Sequence, residues 1–164
     1  AYVLGVVGDD PEADLLLDAC RRAGIHTDGV LTVPASRTNT RTRITARDSR
    51  GGIRTLLRLD SPPAHDVGDQ VEAQLINALH QLMGQADAII VLEGSSGVTT
   101  PSVLRAARES ARTRGALLVG DVFGRARELS SYDVVLPNEV EALQLLGIAG
   151  AGDEAVDLAG ARGH

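Results

Sequence analysis

Apolar runs alternate with amphipathic segments along this chain, and that alternation restricts it to a small set of folds. Val3-Leu4-Gly5-Val6-Val7 is a continuous apolar run of strand length, the pattern of a strand covered on both faces. Gly8-Asp9-Asp10-Pro11 then turns the chain into a helix, with Asp10 as N-cap and Pro11 at the first helical position. Ala13, Leu16, Leu17, Cys20 and Ala23 recur at helical spacing until Gly24 ends the helix. A second amphipathic helix carries Val71, Leu75, Ala78, Leu79 and Leu82 on one face and closes at Gly84. A strand from Ala88 to Leu92, a helix opened by Thr100-Pro101 and closed by Gly115, a strand from Ala116 to Val119 and the run Val134-Val135-Leu136 follow. Strands separated by helices pair in parallel through right-handed crossovers. The expected class is therefore α/β, a mostly parallel sheet flanked by helices.

One segment breaks this rhythm. Arg41 to Arg47 and Ile53 to Leu59 are extended runs around the turn-rich Asp48-Ser49-Arg50-Gly51-Gly52. Their threonines, β-branched residues and arginines predict a hairpin with at least one wet face, on which the arginines can simply solvate the exposed strands and protect their edge.

Composition narrows the chemistry. All 16 basic residues are arginine. Without lysine, a P-loop, a Schiff base and a receiver-domain lysine are excluded. A net charge of −6 and three aromatic residues give no basic, stacking surface, so nucleic acid is not an expected partner. With so few aromatics, Val, Leu, Ile and Ala must fill the core. The single Cys20 lies on the inward stripe of its helix and reads as a buried thiol. No apolar run is long enough to span a bilayer, no signal peptide or cysteine pair is present, and the expectation is a cytoplasmic chain away from membranes. The four histidines have no partner at metal-ligand spacing; His80, on a polar helix face, and His164 read as solvated.

Three candidate site residues follow strands. Glu93 comes directly after the run ending at Leu92, Asp121 soon after Val119, and Asn138 two residues after Leu136. If the strands are parallel, their C-terminal ends share one edge, where open α/β sheets bind ligands. Asn138 is also a natural N-cap, and Glu141, three residues on, can reach back in a capping box before the helical pattern Glu139 to Leu146 ends at Gly147. A carboxylate held there can instead organise a hydrated Mg²⁺ ion near nucleotide phosphates. Capping and chemistry are compatible.

The stretch from Tyr132 to Gly147, with its Asn138-x-x-Glu141, resembles the corresponding region of the ribokinase, or PfkB, family of carbohydrate kinases. The resemblance implies a ribokinase-like fold over residues 1–164 as one partial domain, with 37–60 as a lid-like hairpin over the sugar site and room for a homodimer through that lid. It implies transfer of the ATP γ-phosphoryl group to a sugar or sugar-phosphate hydroxyl, with ATP and Mg²⁺ as cofactors. Asn138, Glu141 and Asp121 inherit places near nucleotide and phosphate, Glu141 reaching Mg²⁺ through water, and Glu93 matches a substrate-side acidic position. The segment from Arg37 to Asp60 looks like the heptose-7-phosphate kinase branch, and so does Gly124-Arg125. In that setting Arg41, Arg43 and Arg58 would hold a sugar phosphate, because a guanidinium binds phosphate bidentately. Small residues from Gly94 to Pro101 could admit an anion through backbone N–H groups, but Ser96 stands where the heptose kinases carry a lysine.

Gly150-Ala151-Gly152-Asp153 spells the glycine-rich signature of that family's anion hole and base, yet it follows Glu141 by only nine residues and lacks the preceding Asp-Thr. It reads as a loop in which Asp153 caps a helix from Glu154 to Ala161. The catalytic base and anion hole are therefore not assigned, and the chain reads as the central portion of a longer kinase, incomplete at both ends and inactive in isolation. A non-catalytic α/β module that binds a sugar phosphate or nucleotide stays open. A Rossmann-like enzyme fits less well, because Gly5-Val6-Val7-Gly8-Asp9-Asp10 lacks the Gly-x-Gly-x-x-Gly turn.

Overall fold

The structure is a computed structural model that describes residues 1–34, 36–61, 67–92, 97–121 and 132–145. The chain divides into two compact units, one formed by residues 1–84 with 95–103 and the other by 85–94 with 104–164.

In the first unit, β1 (Tyr2–Gly8) leads into α1 (Pro11–Arg22), and β2 (His26–Val33) returns to pair with β1 in parallel, Gly5 opposite Val30 and Gly8 opposite Val33. Asp10 caps α1 as its sequence requires: its backbone is extended, its Oδ1 accepts the Ala13 N–H at 2.9 Å, and Pro11 follows. Both α1 and α2 (Asp69–Leu82) pack on this sheet, with Leu75 and Leu79 of α2 buried. Cover is thinner than the apolar patterns imply. Strand β1 is half-buried from Tyr2 to Val6 and buried at Val7 and Gly8. On α1, Ala13 is buried, Cys20 is half-buried and Leu16 is exposed.

Strand β2 is the element that the sequence pattern does not announce. His26-Thr27-Asp28-Gly29 has neither alternation nor an apolar run, and pairing to β1 supplies what propensity lacks. Gly29 is selected by space: a Cβ there would stand 2.9 Å from the Val3 carbonyl oxygen and 3.0 Å from Leu82 Cδ1.

The hairpin forms as expected. Strands β3 (Thr40–Arg47) and β4 (Ile53–Ser61) pair antiparallel, with a bulge after Ile44. Its turn is built on Asp48, whose Oδ1 accepts the Arg50 and Gly52 N–H groups at 2.9 and 2.8 Å, while Gly51 takes the positive φ of 83° that other residues avoid.

The second unit holds β5 (Ala88–Leu92), β6 (Leu117–Asp121) and β7 (Val134–Val135), all parallel in the order β5-β6-β7. Helix α3 (Pro101–Arg114) buries Leu104, Ala107 and Ala111 at helical spacing and ends at Gly115, φ +66°. Strand β6 runs two residues further than the sequence pattern suggests, so Asp121 ends the strand instead of following it. Short α4 (Glu139–Leu145) comes after β7. Among the described residues no helix is long and apolar enough to cross a membrane.

Replacing Gly29 by alanine should destabilise the first unit by about 1–3 kcal/mol, because the Val3 backbone cannot step aside as a flexible side chain could. Urea denaturation of the variant beside the wild type measures the loss.

Candidate functional site

The parallel register decides which side chains meet. Leu92 of β5 stands opposite Asp121 of β6, and Gly120 opposite Val135 of β7. All three strands therefore finish at one edge, with exposed Asp121 on it and Asn138 three residues beyond the β7 partner. Glu93, the residue after β5, lies outside the described residues, as do Ser96, Arg125, the Gly150-to-Asp153 motif and the helix expected after it.

The Asn138/Glu141 pair forms the reciprocal box that its spacing allows. The Asn138 N–H donates to Glu141 Oε2 at 2.9 Å, and the Glu141 N–H donates to Asn138 Oδ1 at 3.0 Å. Two otherwise unpaired donors of α4 are thereby satisfied. A carboxylate has further acceptor positions, so Glu141 can cap this helix and still meet a hydrated cation. Among the described residues no three His, Cys, Asp or Glu side chains cluster to hold a bare metal ion. A Mg²⁺ ion that keeps most of its water needs only one or two carboxylates beside phosphate oxygens.

The three hairpin arginines share one face. Arg41 is paired across the ladder with Asp60, and Arg43 with Arg58. Arg58 forks onto Asp60, its Nε at 2.7 and 2.9 Å from the two carboxylate oxygens, with a further short contact from Nη2 to Oδ2. These Arg58 hydrogen bonds hold the Asp60 carboxyl below its ordinary range, and the charges of Arg58, Arg41 and Arg43 act in the same direction. Three guanidinium groups against one carboxylate leave this face positive. The opposite face carries Ile44 beside Leu57 and Thr42 beside Leu59, between the polar pair Thr40 and Ser61 at one end and Arg54, opposite Ala46, at the other.

A polar cluster at the C-terminal end of β1 has no counterpart in the sequence reading beyond the Asp10 cap. Thr38, just before β3, is 7% exposed. Its N–H donates to Asp10 Oδ2 at 2.7 Å, its hydroxyl donates to Asp10 Oδ1 at 2.6 Å, and the same hydroxyl oxygen accepts the Gly8 N–H at 3.0 Å. The Thr38 side-chain and backbone hydrogen bonds pull the Asp10 carboxyl below its ordinary range, with smaller help from the Ala13 N–H and the Arg37 charge. An Asp followed 28 residues later by a Thr carries no local signal, so only the folded chain reveals the pair.

A cavity of about 500 Å³ lies elsewhere, lined by Arg108, Arg112, Gly115, Leu117, Leu118 and Asp133. Leu117 begins β6, so this cavity sits at the end of the strand remote from Asp121. Asp133 is committed there to structure, accepting the Leu118 N–H at 2.8 Å.

With an edge of strand ends, a capping carboxylate and an arginine-bearing hairpin in place, comparison with known proteins settles the family. The pfkB family carbohydrate kinase pattern matches residues 1–164. The chain belongs to the PfkB family of carbohydrate kinases. Among curated relatives, the bifunctional protein HldE of Caulobacter sp. (strain K31) is 33% identical over 158 residues, 94% of this chain and 30% of the relative. The HldE protein of Trichlorobacter lovleyi is 31% identical over 149 residues, 89% of this chain and 29% of that protein. The ribokinase of Giardia lamblia superposes with a TM-score of 0.67 at 20% identity, covering 92% of this chain and 45% of its own. Arabidopsis thaliana ribokinase, solved with ribose and ATP, gives 0.57 at 18% identity, covering 95% and 50%. These structures support the ribokinase-like α/β fold. The chain spans about a third of the curated PfkB relatives and about half of the solved ones.

Because the Asp10 carboxyl is depressed in the folded state, its hydrogen bonds stabilise the fold above the ordinary carboxylate range, and that contribution is lost as pH falls through the lowered value. Asp10→Asn should therefore be less stable than wild type near neutrality and show a shallower acid limb. Denaturant midpoints from about pH 6 down to about pH 3 test this.

Proposed function

We propose that these 164 residues supply the phosphate-facing edge and the sugar-facing hairpin of a kinase that transfers the γ-phosphoryl group of ATP to a hydroxyl of a sugar or sugar phosphate. The observation that carries this reading is the parallel alignment of β5, β6 and β7, which gathers Asp121 and the Asn138/Glu141 box at one edge. Membership of the PfkB family and the ribose and ATP named for the Arabidopsis neighbour support it.

Phosphoryl transfer is chiefly a matter of positioning and charge neutralisation. In this reading Asn138 and Glu141 stand near the nucleotide phosphates, Glu141 with Asp121 able to hold Mg²⁺ through its water shell, and Glu93 meets the sugar. Mg²⁺, when bound, would offset the charge of the phosphates. Arg41 and Arg43 present guanidinium groups to a phosphorylated substrate, and Arg58 joins them if the phosphate displaces Asp60 from its fork. A heptose 7-phosphate is the substrate to which the hairpin sequence points. The reading places the protein in the cytoplasm, where ATP is supplied. It assigns the 164 residues a binding share of the reaction, so turnover by them alone is not expected.

The exposed aliphatic residues of the other hairpin face support a second element of the proposal, pairing of two copies through their lids. Ile44, Leu57 and Leu59 are 46%, 49% and 51% exposed on it, which is large for aliphatic residues that share one face. Leu57→Glu should convert a dimer to a monomer in analytical ultracentrifugation; a wild-type protein that is monomeric at high concentration rules the lid dimer out.

In the full-length protein, Glu141→Gln should lower Mg²⁺-dependent turnover roughly 10- to 100-fold. It should cost less than about 1 kcal/mol of stability, since a glutamine can still close the box. Equal loss of both would reduce Glu141 to a cap. Tight binding of sugar phosphate with no turnover in the wild type would favour a binding module over a kinase.

A further inference from the structure

We propose that Asp10 and Thr38 form a latch that fixes the root of the hairpin to the C-terminal end of β1, making Thr38 a positioning residue for the hairpin arginines. The inference rests on the reading of Arg41 and Arg43 as substrate-phosphate ligands, but the latch is argued from contacts that do not involve them.

Two independent observations converge on the same spot. The first is the hydrogen-bond set. Asp10 takes three donors, the Ala13 N–H from α1 and both the N–H and hydroxyl of Thr38, while the Thr38 oxygen takes the Gly8 N–H. The carboxylate thus joins the first turn of α1 to the segment entering β3, and the Thr38 hydroxyl carries the link on to the last residue of β1. The second is steric. A Cβ on Gly8 would lie 2.5 Å from the Ser36 carbonyl oxygen and 2.8 Å from Arg37 Cα, so the hairpin root is pressed directly onto the β1 backbone. Gly8 has an ordinary backbone conformation, and its missing side chain serves this approach.

Among the described residues the hairpin packs chiefly on itself. Leu56, Leu57, Leu59, Ile44 and Ile53 are all substantially exposed, and the strongest packing of β3 is with β4. Strand β3 starts two residues after Thr38, and Arg41 and Arg43 follow at three and five residues. A polar tie with Thr38 and Gly8 buried at the pivot of such an arm sets where the arm points, because removing the Thr38 hydroxyl leaves the buried Gly8 N–H without that acceptor.

Thr38→Val keeps the shape and removes the hydroxyl; Thr38→Ser keeps the hydroxyl. In the full-length protein, hydrogen exchange should show the β3 and β4 amides opening roughly tenfold faster in Thr38→Val. The β1 amides should stay protected, which certifies a folded protein, and Thr38→Ser should match wild type. With heptose 7-phosphate as probe, KM should rise in Thr38→Val while kcat at saturation is retained. Unchanged hairpin exchange in Thr38→Val overturns the latch, and should that variant not fold, unchanged exchange in Asp10→Asn does so. Faster exchange with unmoved KM overturns the positioning role, provided that Arg41→Gln and Arg43→Gln do raise KM. If those two leave KM unmoved while the hairpin is still freed, the phosphate reading of the preceding section fails and the latch stands.

Discussion

Parallel pairing governs this chain more than any single contact. A parallel ladder cannot be closed by a tight turn, so each strand must be carried back to the start of the sheet by a crossover. Strands that all run the same way then finish at the same edge of the sheet. In β5, β6 and β7 the consequence is chemical. Residues that are remote in sequence, Asp121 and Asn138, reach the same edge because backbone hydrogen bonds align Leu92 with Asp121 and Gly120 with Val135. The hairpin obeys a different rule: its register comes from the local turn around Asp48, and it folds back on itself with no crossover.

Several polar side chains serve structure and are still available to chemistry. The Asn138/Glu141 box closes the start of α4 with two hydrogen bonds and keeps a carboxylate in place near the strand ends. Arg58 and Asp60 stand in a comparable position on the hairpin, where the fork between them orients one guanidinium and tempers the charge of the arginine face. A bound phosphate would compete with Asp60 for the same donors. Under the proposed phosphate reading, such competition would make binding weaker and more selective than at an unopposed arginine cluster, because a ligand would have to exceed the internal carboxylate in charge or in geometry.

Membership of the PfkB family concerns the whole chain, residues 1–164, whereas the relatives extend well beyond the region they share with it. The described residues carry arginines on a hairpin, a carboxylate and an amide at a sheet edge, and an Asp10–Thr38 tie between β1 and the hairpin root.

Much of this was written in short-range pattern. Asp10-Pro11 opens α1, Gly24 and Gly115 close helices, Asp48 to Gly52 turns the hairpin, and Asn138-x-x-Glu141 caps α4; each depends on residues within four positions, so local chemistry suffices to read it. The opposite holds for strand β2, whose His26-Thr27-Asp28-Gly29 opening has no strand periodicity and which exists because β1 offers a ladder and Gly29 leaves room for it. The Arg58–Asp60 fork and the exposure of Leu16 also escaped the linear pattern, since charge pairing and cover depend on which neighbours arrive. Thr38 shows the limit most clearly. Its role is set by a carboxylate 28 residues away and by a glycine that permits backbone contact, and proximity of that kind is created by folding, with no trace in the order of the residues.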